Sequence, residues 1–416
     1  MSCTEKVKKT TEKTIIKIPA NKHQATSNRM KRINSIDTTR GLVMVIMALD
    51  HVRDFMHTTS MTQNPTNLQT TTTLLFLTRW VTHLCAPTFV FLSGVSAFLS
   101  FRRSKNISES RVFLLKRGFL LIILELTVIN FALWYDVHFR LLLMEVISVI
   151  GLSFIVLSFL LKLPSRIIGI AGIVLIFSHD LLQGIPVPAN PVINFLTSVF
   201  FRPALTQITP GLSFYTSYPL IPWLGIMMAG FACGEIFDFP QEKRGRIFLK
   251  LGLAILSIFI VIRLINVYGD PSAWEQQKST LFTFLSFINT TKYPISLLFT
   301  LLFLGIMLII LFISEKVKNR FTEILSIYGK VPLFYFIIHL FIIHSLMFLM
   351  LRLQGFAGKD LMFGAFNNGR PKTGGGADLF LIYLIWLSVV ALLYPVCKWY
   401  GKFKSEHSYN KILRYL

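Results

Sequence analysis

Acid is scarce in this sequence. Its 416 residues hold 20 Asp and Glu against 42 Lys and Arg, a formal net charge of +22. Cysteine is scarcer still: Cys3, Cys85, Cys233 and Cys397, with no Cys-x-x-Cys pair. That argues against a disulfide framework or a zinc site, so no metal site is expected. The cysteines read as small packing residues. A Walker loop, a Gly-x-Ser-x-Gly elbow, a His-Glu-x-x-His pair and a dinucleotide fingerprint are also missing, which weighs against ATPase, lipase and zinc-protease chemistry. No repeat of fixed short period suggests a solenoid. No aromatic-basic recognition motif accompanies the positive charge, so no nucleic-acid partner is expected. The first 36 residues are polar and basic, without the apolar core of a signal peptide.

Apolar length is what the chain has in abundance. Hydrophobic residues make up 53%, Phe occurs 38 times and the mean hydropathy is +0.60, above the range usual for soluble domains. Runs of about 20 apolar residues suit a hydrocarbon core of roughly 30 Å. They fall at 38–58, 73–101, 112–134, 141–161, 166–183, 219–238, 246–266, 293–313, 331–353 and 378–399. The expected fold is all-α, a polytopic membrane protein in which about ten transmembrane helices form a bundle.

Charge sets the expected orientation. With the N-terminus inside, the inner segments are the N-terminal arm, "FRRSKNISESRVFLLKR", "KLPSR", "QEKRGR", "SEKVKNR" and "KWYGKFKSEHSYNKILRYL", and they hold most of the Lys and Arg. The first outer loop, "TTSMTQNPTNLQTTTT", holds none. Both termini are therefore expected in the cytoplasm, and the basic residues are expected to face anionic lipid. This divides the chain into a disordered basic arm over 1–36, a transmembrane domain over 37–400 and a cytoplasmic tail over 401–416. Outer loops 184–218 and 267–292 are long, and a third, "GFAGKDLMFGAFNNGRPKTGGGAD", is rich in Gly and Asn. Such loops serve as lids or binding surfaces, or simply as connectors.

Ionisable groups inside the spans are costly and are functional candidates by default. The first span opens with "SID", where Ser35 or Asp37 suits a helix cap. Arg40 follows at the inner surface. His51 comes eleven residues later, within about 20° of the same helix face and about 16 Å further along. Asp50 points about 100° away from His51 and can meet Arg53 or Asp54 on the next turn. The plainer readings are an Asp50–Arg53 ion pair and a His51 that hydrogen-bonds across the bundle. In the second span Arg79 and His83 share a face, and Pro87 is expected to kink the helix. Glu125 and Glu145 lie in the third and fourth spans. Tyr335 and His339 stand at i and i+4 in the ninth, whereas His344 points elsewhere and reads as packing. Together these groups outline a polar path or pocket.

As a set, "RINSIDTTRGLVMVIMALDHVRDF", "RWVTHLCAPTFVFLSGVSAFL", "SYPLIPWLGIMMAGFACG", "YGKVPLFYFIIHLFIIH" and "LLYPVCKWYGKFK" resemble the bacterial branch of the heparan-α-glucosaminide N-acetyltransferase catalytic-domain family. The resemblance covers about residues 30 to 405. The spacing from Arg40 to His51 is also similar to the first-helix motif of the envelope O-acyltransferases, and both groups resemble one transmembrane acyltransferase superfamily. The resemblance implies that cytoplasmic acetyl-CoA, as co-substrate, gives its acetyl group to an acceptor reached from the other side. His51 stands where the O-acyltransferases carry their first-helix histidine, a position that resembles Asn in the lysosomal enzyme. That enzyme's own histidine falls, in this chain, in "SMTQNP", with His57 the nearest substitute.

Acyl transfer from a thioester needs a base for the acceptor and stabilisation of the oxyanion. The resemblance makes His51 the expected base or acyl carrier for a hydroxyl or amine on an envelope glycan or amino sugar. Asp50, His83 and His339 are further catalytic candidates, and Arg79 and Tyr335 are orienting or oxyanion groups. Arg40, Arg102, Arg103, Arg111, Lys116 and Arg117 are candidates for the CoA phosphates; topology alone is their plainer explanation. The expected partners are the lipid bilayer, acyl-CoA, an unidentified acceptor and, as one assembly, a second copy in a homodimer. The expected location is a bacterial inner membrane. The alternative function is a proton-coupled transporter that uses the same His, Asp and Glu as a relay.

Overall fold

The computed structural model describes residues 33–104, 106–183 and 190–407, together with 409, 410, 413 and 415. Most of the expected arm and part of the tail lie outside these residues. The chain is mostly helical. Its elements are α1 (Asn34–Met56), α2 (Thr73–Thr82), α3 (Cys85–Ser104), α4 (Ile107–Leu124), α5 (Asn130–Trp134), β1 (Leu141–Met144), α6 (Val146–Leu160), α7 (Ser165–Gln183) and α8 (Pro191–Phe200). They continue with β2 (Ala204–Thr209), β3 (Leu212–Thr216), α9 (Leu220–Cys233), α10 (Gln241–Ile265), α11 (Thr280–Ile288), α12 (Leu297–Lys316), α13 (Arg320–Gly329), α14 (Pro332–Leu353), β4 (Phe363–Gly364), β5 (Asn367–Asn368) and α15 (Leu379–Glu406). Side-chain caps mark many of the starts: Thr72, Asn106, Ser279, Ser296, Asn319 and Asp378 each accept a first-turn N–H, the partner those otherwise orphaned donors need.

Among the described residues, seven helices are long and apolar enough to cross a membrane. They are α2 with α3, α7, α9 with its extension to Asp238, α10, α12, α14 and α15. Of the other expected spans, α1 carries five charged side chains from Asp37 to Asp54, and α6 has only 15 residues. Helix α12 is central, with 72% of its most apolar window buried, against 17% for α15. It packs on α10, α1, α3 and α7. Helix α1 packs closely on α13, where a methyl group on Gly41 would collide with the Leu325 carbonyl and one on Gly329 with that of Asp37.

Several expectations need correction. The fold is not purely α: β1, β3 and β2 form a small mixed sheet, β1–β3 parallel and β3–β2 antiparallel, and β4 pairs with β5. The apolar run at 141–161 therefore starts as a strand, because "LLLM" has β3 to pair with. The second span is broken between α2 and α3, at His83 and Leu84. Pro87 lacks an N–H, and its ring crowds the carbonyl four residues back, which belongs to His83. Pro222 sits in the first turn of α9, where its missing N–H costs nothing. Ser35 and Asp37 lie inside α1 rather than before it, and α15 runs on to Glu406.

The third span bends through a π turn, Glu125–Ile129, between α4 and α5. Glu125 is buried there, and its carboxylate accepts the N–H groups of Glu145 (2.9 Å), Ile147 (3.0 Å) and Ser148 (2.8 Å). It caps α6 from another helix, a structural use for an intramembrane acid.

Candidate active site

Helix α1 supplies a row of ionisable groups in its C-terminal half. Asp50 accepts from Arg79 Nη1 through both oxygens, at 2.6 and 2.5 Å, and from Arg53 Nη2 at 3.0 Å. Arg53 Nη2 also donates to Asp54 at 2.6 Å, and Arg79 Nη1 stands 3.9 Å from Asp54. Two arginines and two aspartates thus form one neutral knot between α1 and α2. Asp50 does pair with Arg53, as the plainer reading held, but its shorter bonds go to Arg79 on the neighbouring helix. The side chains of Arg79 and Asp50 are each 14% exposed and that of Arg53 only 2%.

His51, next in the chain, turns away from the knot towards α14. Its ring meets His339 edge-on with centroids 5.1 Å apart, and Phe336 at 6.2 Å. No hydrogen bond holds the His51 ring among the described residues. Tyr335 stacks on His339 at 5.3 Å. His339 Nδ1 lies 3.0 Å from the Tyr335 carbonyl, which can only accept, so Nδ1 carries the proton and Nε2 is left with a free lone pair. Both His339 Nε2 and the Tyr335 hydroxyl are buried without a hydrogen-bond partner among the described residues. Such atoms are rare in a packed interior and ask for an explanation. Two imidazoles and a phenol therefore gather where α1 meets α14, with unsatisfied polar atoms among them.

The other candidates separate. His83, at the break before α3, packs against Phe299 and Phe303 of α12 at 5.4 and 5.7 Å. His344 has Nδ1 2.8 Å from the Ala132 carbonyl and Nε2 2.8 Å from that of Asn368, a structural bridge consistent with packing. His57 closes α1. Its backbone pairs with Ala377, and Arg370 donates to its carbonyl at 2.8 Å, so the Gly-rich loop is fastened down at this point. Ordinary packing accounts for Cys85 and Cys397, which are free and buried.

Near the start of α1, Arg40 Nη2 donates to Ser96 Oγ at 2.9 Å. Arg117 on α4 lies within electrostatic reach of Arg40, and its Nε is buried with no hydrogen-bond partner among the described residues. The remaining four expected phosphate ligands stand elsewhere. Arg102 pairs with Asp238 at 3.0 Å on the exposed surface, and Arg111 sits 4.6 Å over the Phe159 ring. Arg103 and Lys116 are exposed.

The family described as heparan-alpha-glucosaminide N-acetyltransferase, catalytic, matches residues 32–269, more than half of the chain. The chain belongs to this family. None of the curated proteins matches it. Within this N-acetyltransferase family, the matched stretch includes α1, with His51 and the charged knot, and ends before α14. An integral membrane, multi-pass transferase is the reading on which family and fold agree.

The sequence reading passed over Lys292, Tyr218 and Tyr293. Lys292 Nζ sits 4.9 Å from the Tyr293 ring centroid and 5.6 Å from that of Tyr218, and its charge reaches Asp50 and His51. It closes a long loop that had the look of a connector. The "KY" dipeptide offered no periodicity by which to single it out.

Proposed function

We propose that this protein moves an acetyl group from cytoplasmic acetyl-CoA to a hydroxyl or amine acceptor, an envelope glycan or amino sugar, with His51 as base or transient acyl carrier. The observation that carries the reading is the meeting of His51 with His339 and Tyr335, where an imidazole nitrogen and a phenol hydroxyl are buried without partners. His51 takes the acceptor proton while the acceptor attacks the thioester carbonyl; the carbon–sulfur bond breaks and the thiolate leaves with the coenzyme. The Tyr335 hydroxyl, free to donate, suits the developing oxyanion. Arg79 holds Asp50, and through α1 this fixes the position of His51. Arg40 and Arg117 are the two cations best grouped to meet CoA phosphate from the inner side. The family favours transfer over transport.

This function goes with ten crossings, both termini in the cytoplasm and a bacterial inner membrane as host, because acetyl-CoA is cytoplasmic and the acceptor is reached from outside. Purified protein incubated with labelled acetyl-CoA and envelope extract should label an extract component. His51→Ala should lower that transfer by at least about a hundredfold, with little loss of stability because the ring makes no hydrogen bond. Full transfer by a folded His51→Ala variant would refute the base assignment.

A further inference from the structure

Helix α8 carries more apolar surface than its neighbours cover. Around the helix axis Val192, Leu196, Phe200 and Ile193 fall within about 100° of one another, and Ser198 lies opposite their centre. Ser198 is buried; its hydroxyl donates to the Phe195 carbonyl at 2.7 Å and contacts Thr216 Oγ1 of β3 at 3.3 Å. The Phe195 ring meets Phe214 of β3 edge-on at 5.3 Å. The side towards the sheet is therefore filled. The four apolar side chains on the other side stand exposed, Val192 by 65% and Leu196 by 49%. The chain beyond α8 adds to this, since Phe201, Leu205 and Ile208 are exposed as well.

A large exposed apolar face marks an interaction with another protein or with a membrane. Charge favours the membrane. From Pro191 to Thr216 the sequence holds no Asp or Glu, and its one cation is Arg202. Protein docking surfaces in water carry a polar rim, whereas hydrocarbon disfavours charge. Position favours it too. Helix α8 packs on β2 and on α9, and α9 is long and apolar enough, with its extension, to cross a membrane. From Thr216 at the end of β3 to Leu220 at the start of α9 the chain can reach about 14 Å at most. The sheet and α8 are thus held at one end of a membrane-crossing helix.

The neighbouring surface points the same way. Helix α7, which also packs on α9, exposes Val174 by 57% and Leu181 by 66%. Lipid accounts for that exposure on a membrane-crossing helix, and α8 presents the same kind of side chain to the same degree.

We propose that α8 lies along the membrane–water interface, with Val192, Leu196 and Phe200 dipped among lipid acyl chains and Arg202 reaching a headgroup phosphate. The partner is the bilayer surface. Helix α8 rests on the membrane and does not cross it, because its ten residues span only about 15 Å of a core of roughly 30 Å. Since α8 packs on β2, and β2 pairs with β3, the small sheet is moored to lipid as well as to the bundle. Nothing in this placement depends on acyl transfer.

Fluorescence of the full chain in nanodiscs tests it. Leu196→Cys is labelled with a nitrobenzoxadiazole fluorophore, and so is Gln276→Cys, a control at an exposed position in a polar loop. The parent chain, labelled alike, supplies the blank for the native thiols. Lipid brominated near the top of its acyl chains should quench the Leu196→Cys emission at least about twofold and leave that of Gln276→Cys unchanged. A second reading needs no fluorophore. In the same nanodiscs the Leu196→Cys thiol should react with a charged, water-soluble maleimide at least about tenfold more slowly than the Gln276→Cys thiol, because apolar surroundings disfavour the thiolate. Both substitutions are at exposed positions, so melting temperatures should stay near that of the parent. The placement is overturned if brominated lipid leaves Leu196→Cys unquenched, or if its thiol reacts as fast as the control. Protection of the thiol without quenching would assign the face to a second copy of the chain, and that also overturns it.

Discussion

Arg79 supplies two of the three hydrogen bonds that reach the Asp50 carboxylate. Arg79→Gln tests whether this knot is the lock between α1 and α2. Breaking a buried pair from one side costs about 3–5 kcal/mol when the remaining charge is left alone. Asp50 is not left alone, because Arg53 stays 3.0 Å away. The 14% exposure of both partners softens the loss further. The expected cost of Arg79→Gln is therefore about 2–3 kcal/mol. Asp50→Asn should cost about 3–4 kcal/mol, since it leaves two arginines to share Asp54. In the double variant neither charge remains, so the penalties should fall short of their sum by about 2 kcal/mol. Reversible unfolding in mixed micelles, titrated with SDS, gives all four stabilities. If the single penalties add to within about 0.5 kcal/mol, the side chains are not coupled and the reasoning from the geometry fails.

Two further variants probe the scaffold. Gly41→Ala should destabilise the protein by about 3 kcal/mol or more in the same titration, because its methyl group meets the Leu325 backbone and not a side chain that can move; Gly245→Ala, whose methyl group would find only ordinary contacts at 3.6 and 3.8 Å, is the matched control and should be near neutral. Glu125→Ala should cost about 3 kcal/mol, since three N–H groups of the α6 start lose their acceptor, and Glu125→Gln should cost clearly less because one carbonyl oxygen remains. Equal losses for the Ala and Gln variants would show that the carboxylate is not acting as a cap.

The candidate site was partly legible. His51, Asp50, Arg79, Tyr335 and His339 stood out because an ionisable group in an apolar run breaks a pattern, and the structure puts all five around α1. His83 stood out for the same reason, yet its ring lies between phenylalanines. Of six basic residues flagged for phosphate, Arg102 pairs with Asp238, Arg111 covers Phe159, and Arg103 and Lys116 are exposed, because a charge run marks a membrane side and not a point in space. Glu125 looked like a possible relay and proves to be a cap, which depends on a helix 20 residues further on.

The apolar runs and the sparse acid determined by themselves that this chain is a helical membrane protein, since hydrocarbon admits only long apolar segments with satisfied backbones. The motif set determined the family. Tertiary structure alone decided what each polar group faces: a helix spacing gives a direction on one cylinder, but not which neighbour stands there. It alone turned His51 towards His339, gave Asp50 to Arg79, broke the second span at His83, and placed Lys292 beside the Tyr218 and Tyr293 rings. Those contacts join residues far apart in sequence, and packing between helices, not periodicity within one, selects them.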